Sequence, residues 1–82
     1  MTLAELLEDC PEDFAQCPIV YENGWSDYEE AAWVIVFDFL GDLYIVEHYD
    51  SVMSTDKFYF DPQPITHQEL EALKEEWQTE GI

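Results

Sequence analysis

Two stretches rich in β-branched and aromatic residues, Ala31-Ala32-Trp33-Val34-Ile35-Val36-Phe37 and Leu43-Tyr44-Ile45-Val46-Glu47-His48-Tyr49, lie on either side of Gly41-Asp42. Such residues fit a pleated, half-buried surface. A Gly-Asp pair between them predicts a hairpin, spanning 31–49, whose first turn residue has positive φ. Strand alternation puts Trp33, Ile35, Phe37 and Phe39 on one face and Val34, Val36 and Asp38 on the other. Both faces are apolar near the middle, which predicts a central strand covered on two sides. Lys57-Phe58-Tyr59-Phe60-Asp61 predicts a third strand over 57–61, with Asp50 to Asp56 as the connecting loop.

Helices flank this unit. Residues 2–9 predict a short N-terminal helix: Thr2 and Glu5 have capping-box spacing, Leu3, Leu6 and Leu7 share a face, and Pro11 ends it. Residues 10–30 carry turn signals, Asn23-Gly24 above all, and two extended pre-proline cysteines, Cys10 and Cys17. Trp25 to Glu30 fits either a loop or the approach to a strand. A C-terminal helix over 67–79 is the best specified element. Thr66 and Glu69 form a second capping box, Ile65 and Leu70 are placed for a hydrophobic staple, and Leu70, Leu73 and Trp77 make an apolar stripe. The expected fold is therefore α+β: one domain over 1–82, with a three-stranded, mainly antiparallel sheet and a helix at each end of the chain.

Charge narrows the possible functions. The chain has 82 residues with 20 Asp and Glu against two Lys, and its net charge is −18. Those lysines are Lys57 and Lys74; arginine is absent. No run of acids exceeds two, and acids alternate with aromatics, unlike the block charge of a disordered acidic tail. The pattern is that of a folded body with a negative coat. A small domain needs a net charge of only about 2–8 in magnitude for solubility. Nucleic acids and anionic membranes are repelled by such a coat, whereas a basic protein surface is attracted. Met1-Thr2-Leu3-Ala4-Glu5 has neither the basic start nor the apolar core of a secretion signal. The longest apolar run, Ala31 to Phe37, is far below the roughly 20 residues of a membrane span. The expected location is the cytoplasm of a bacterial host cell, where Cys10 and Cys17 would be reduced thiols packed as small hydrophobic groups.

Catalytic patterns are weak. His48 and His67 are the only histidines, and no Gly-rich phosphate loop is present, since the glycines stand apart at 24, 41 and 81. Cys10, Cys17, His48 and His67 have poor zinc spacing, because structural sites place paired cysteines about two to four residues apart. Asp50 to Asp56 does not match a calcium-binding loop. Close carboxylate pairs at glycosidase spacing arise by chance in so acidic a chain. No catalytic, cofactor or metal role is assigned, and the chain is not read as an enzyme.

What remains is the coat. Eighteen net charges match roughly 30 Å of duplex DNA, and acids four apart on a helix are spaced ~6 Å along its axis, near the phosphate step of one strand. The candidate partner-binding residues are Glu69, Glu71, Glu75, Glu76 and Glu80 on the last helix. Asp27, Glu29, Glu30, Asp50 and Asp56 in the loops come second. Trp25, Tyr28 or Tyr49, if exposed, would stack on arginine planes. In size, dispersed acid excess, scarcity of Lys and Arg, and aromatic α/β body, the chain resembles the small acidic inhibitors of phages and mobile elements. Those include DNA-mimic anti-restriction proteins, uracil-glycosylase inhibitors and anti-CRISPR proteins. The resemblance implies a non-enzymatic inhibitor of a basic nucleic-acid-binding protein, such as a CRISPR effector or restriction enzyme. Three alternatives stand beside it: an immunity or antitoxin protein for a basic toxin nuclease, an acidic adaptor module, and a metal-dependent enzyme.

Overall fold

The computed structural model describes residues 1–7, 10–51 and 58–80, the side chains of 78–80 excepted. The fold is α+β, with an antiparallel sheet and a C-terminal helix, as expected. The sheet has four strands where three were expected, because residues 19–26 and 63–64 also pair, in the order β1 (Ile19–Ser26), β2 (Glu30–Phe39), β3 (Asp42–Ser51) and β4 (Gln63–Pro64). A one-turn helix α1 (Leu3–Leu6) and a 3-10 turn (Glu12–Phe14) precede it, and helix α2 (His67–Glu80) follows.

Alternation along β2 organises both layers around the sheet. Ile35 and Phe37 face a core shared with Leu3, Cys17 and Val46, onto which Leu6, Leu7, Phe14, Trp33 and Phe60 also pack. Phe14 is the hub of this side, its ring 4.6 Å from Phe39, 5.2 Å from Phe60 and 5.9 Å from Phe37. On the other face Val36, Leu43 and Leu70 are buried together, with Tyr21, Ile45, Ile65 and Leu73 around them. Phe37, Leu3, Val34 and Val36 are fully buried, each contributing about 1.5–3 kcal/mol by leaving water. The central position predicted for this strand follows from these two layers.

Helix α2 starts where its sequence predicts. The Thr66 N–H donates to Glu69 Oε1 and the Glu69 N–H donates to Thr66 Oγ1, both at 3.1 Å. A reciprocal cap of this kind satisfies helix-end donors and is worth about 1 kcal/mol. Ile65 and Leu70 lie in one cluster, as a staple requires.

Four further expectations need correction. The turn predicted at Asn23-Gly24 is instead the middle of β1. A Cβ on Gly24 would lie 3.2 Å from the Ala32 carbonyl oxygen and from Trp33 Cβ, so this glycine permits close approach of two strands. The strand predicted over 57–61 does not form among its described residues: Lys57 lies outside them, and Phe58 to Asp61 make no ladder. Their aromatic character serves packing instead, with the Phe58 ring 5.0 Å from Trp33 and the Phe60 ring 5.2 Å from Phe14. The β2–β3 turn is displaced by one residue. Phe39 pairs with Asp42, leaving Leu40 (φ 55) and Gly41 (φ 89) as the two turn residues, as in a type I′ hairpin. Finally, α1 ends at Leu6, and Thr2 makes no side-chain cap to it. The Glu5 N–H, the donor a capping box would use, donates instead to the Thr2 carbonyl (3.1 Å), and the Ala4 N–H donates to the Ala15 carbonyl (3.1 Å). With those donors taken by neighbouring backbone, the Thr2 hydroxyl turns to Glu5 Oε1 at 3.4 Å.

Candidate functional site

Carboxylates occupy both faces and both ends of the molecule, and none is buried among the described residues. Four of them gather at the end of the sheet opposite the Leu40-Gly41 turn. Strand register creates this grouping. Glu30 pairs with Ser51 and Ala31 with Asp50, so the β1–β2 turn and the last residues of β3 meet. Asp27, Tyr28, Glu29, Glu30, Ala31, Asp50 and Ser51 surround a shallow depression there. Four of the five predicted loop acids thus share one site. The fifth, Asp56, lies outside the described residues.

Asp27 fixes the turn. Its Oδ1 accepts the N–H of Glu29 at 2.9 Å and of Glu30 at 2.8 Å. The Asp27 N–H in turn donates to the Glu30 carbonyl at 2.8 Å. The backbone hydrogen bonds from Glu29 and Glu30 hold the Asp27 carboxyl below its usual range, because they favour the charged form. The arrangement pushes Tyr28 outward, and its side chain is fully exposed.

A row of rings adjoins this turn on the helix-covered face. Trp25 pairs with Ala32, and Ala32 pairs with Tyr49. Both rings are exposed, with only the small alanine side chain between their strands. Tyr49 hydrogen-bonds to the Glu30 side chain, which raises the pKa of its phenol; partial burial and the charges of Glu30 and Asp27 push the same way. All three aromatics named in the sequence are therefore at the surface beside the acids.

The helix acids do not join this cluster as a single ridge. Glu69 is engaged in the cap, and Glu71 pairs with Lys74 Nζ at 3.5 Å. Lys74 also sits 5.9 Å above the centre of the Tyr21 ring. Glu75 is exposed; by helical spacing it lies near Glu71 on the side away from the sheet. Glu76 lines a groove between α2 and the β3–β4 edge together with Glu69 and with Glu47. The side chain of Glu80 is outside the description. Glu47 is a residue the sequence reading missed. Its signal was the period-two alternation of the second run, which places it with Ile45 and Tyr49 on the face that α2 covers.

The other reactive side chains serve packing. His48 lies 6.0 Å from the Trp33 ring and 5.6 Å from the Phe58 ring. Cys10 and Cys17 are both unpaired and pack in the core beneath α1. Burial raises the Cys17 thiol pKa, helped by the charge of Asp38 and by Cys10, so the thiolate needed for reactivity is disfavoured. Among the described residues no group of three or more His, Cys, Asp or Glu is placed to hold a metal ion. No helix of the described residues is long and apolar enough to cross a membrane. No family model, curated protein or solved structure matches the chain.

Proposed function

We propose that the protein is a non-enzymatic inhibitor that presents carboxylates to the basic nucleic-acid-binding groove of a defence nuclease, a CRISPR effector or restriction enzyme, in the bacterial cytoplasm. The observation that carries this reading is the convergence of Asp27, Glu29, Glu30 and Asp50 around the exposed Tyr28. These acids come from the β1–β2 turn and from the end of β3, remote in sequence, and are held by strand pairing and by the Asp27 hydrogen bonds. Pre-ordered acids lose little conformational freedom on meeting cations, which favours binding. Tyr28, Trp25 and Tyr49 add faces on which arginine planes stack. Individually exposed ion pairs contribute little, so the effect comes from many charges together. Their collective field also accelerates encounter with a positive surface.

Displacement by DNA tests the reading. The immobilised full chain captures its partner from a bacterial lysate, and the complex is then challenged with excess duplex DNA. The expected partner is a nuclease that DNA releases and that the chain prevents from cutting. A captured partner that holds DNA and the chain at the same time would overturn the proposal.

A further inference from the structure

The groove between α2 and the β3–β4 edge has a chemistry distinct from the acidic sheet end. Its volume is about 520 Å³, within the roughly 300–1,000 Å³ typical of ligand sites. Ile45, Ile65 and Leu73, each half-buried, supply an apolar floor; Glu47, Glu69 and Glu76, all exposed, supply carboxylates at its edge. Four separate parts of the chain contribute to it: β3, β4, the segment after β4, and α2. Lys74 cannot neutralise this rim, since it is held on the other flank of α2 by Glu71 and Tyr21.

A floor and a rim of this kind together select their occupant. Bare carboxylates would be satisfied by water, and a bare apolar floor would accept any greasy group. A long aliphatic stem ending in a cation satisfies both. Arginine fits best, because its planar fork pairs bidentately with carboxylates and it sheds water more readily than lysine. A second copy of this chain, itself at −18, would be repelled, as would an anionic ligand.

We infer that this groove receives an arginine-bearing segment of the basic partner, with the stem against Ile45, Ile65 and Leu73 and the guanidinium at the Glu47 and Glu76 carboxylates. The inference deepens the reading given above and rests on it for the source of the segment.

The test uses the full chain, methyl-labelled for NMR, and a capped peptide of alternating arginine and alanine. A peptide with citrulline replacing each arginine is the control. The arginine peptide shifts the methyl signals of Ile45, Ile65 and Leu73, and the citrulline peptide does not. Glu47→Gln with Glu76→Gln weakens binding by about tenfold. Ala72→Leu, which keeps the charge and a good helix former but fills the groove wall, weakens it as well. Glu12→Gln with Asp13→Asn removes the same charge from the 3-10 turn on the opposite layer and leaves affinity unchanged. Unmoved methyl signals, full affinity in the groove variants, or an equal loss in the opposite-layer variant would each overturn the inference. No nuclease takes part in this assay, so its failure is separable from failure of DNA displacement.

Discussion

At one end of β2 the chain reverses through Asp27, whose carboxylate accepts the N–H groups of Glu29 and Glu30. At the other end it reverses through Leu40 and Gly41, both with positive φ, while Asp38 accepts the single N–H of Gly41 at 2.9 Å. The first turn needs no left-handed residue, because a side chain supplies its acceptors. The second demands left-handed backbone, and there only Gly41 is at ease. Leu40 stays in that region with 87% of its surface exposed, so its conformation is imposed by strand register and not by packing. Charge therefore has two roles at the acidic end. Asp27 builds the turn that carries Glu29 and Glu30, and the pairing of β2 with β3 sets Asp50 beside it. At the far end the turn conformation comes from backbone dihedrals, and sequence there can change without disturbing the acids.

The largest effect expected from this contrast is that of Gly41→Val. A β-branched residue at φ 89 should cost about 2 kcal/mol, read as a lower urea midpoint, while partner affinity measured on the folded fraction stays unchanged. An equal loss of affinity would show that the two ends are not independent. Next is Leu40→Asn, which relieves left-handed strain and should raise stability by about 1 kcal/mol. A destabilised Asn variant would mean that the exposed leucine packs on something after all.

Smallest is Asp27→Asn, whose amide oxygen can still accept both N–H groups. Stability near neutral pH should change little. The difference appears in acid. Because folding lowers the Asp27 pKa, its ionised form adds stability above the unfolded value of about 3.9, lost as pH falls through the folded value. Asp27→Asn should therefore flatten the acid limb of the stability curve below that pH. An unchanged limb would mean that the turn hydrogen bonds do not couple to folding.

Much of the fold was legible because local chemistry and tertiary packing agree. The Ala31–Phe37 and Leu43–Tyr49 runs pair as their alternation demands, and Thr66 with Glu69 caps α2 as spacing demands. Where packing overrode local signals, the sequence misled. Asn23-Gly24 has turn chemistry, yet Gly24 is needed where β1 crosses close to Trp33. Phe58 and Phe60 have strand chemistry, yet their rings cover a core face. The acidic site was legible only as a set of candidates. That Asp50 meets Glu29 and Glu30 depends on the register of β2 with β3, which no local pattern states. The division of the α2 acids between cap, ion pair and groove likewise depends on which flank of the helix meets the β3–β4 edge.

Salt dependence tests the central claim most directly, with the triple variant Glu29→Gln, Glu30→Gln, Asp50→Asn, in which Asp27 keeps its place in the turn. For the native chain and whatever partner it captures, affinity should fall steeply from low to physiological ionic strength. The triple variant should bind more weakly at low salt and show a shallower slope. Equal affinity and equal slope for the two chains would contradict the account.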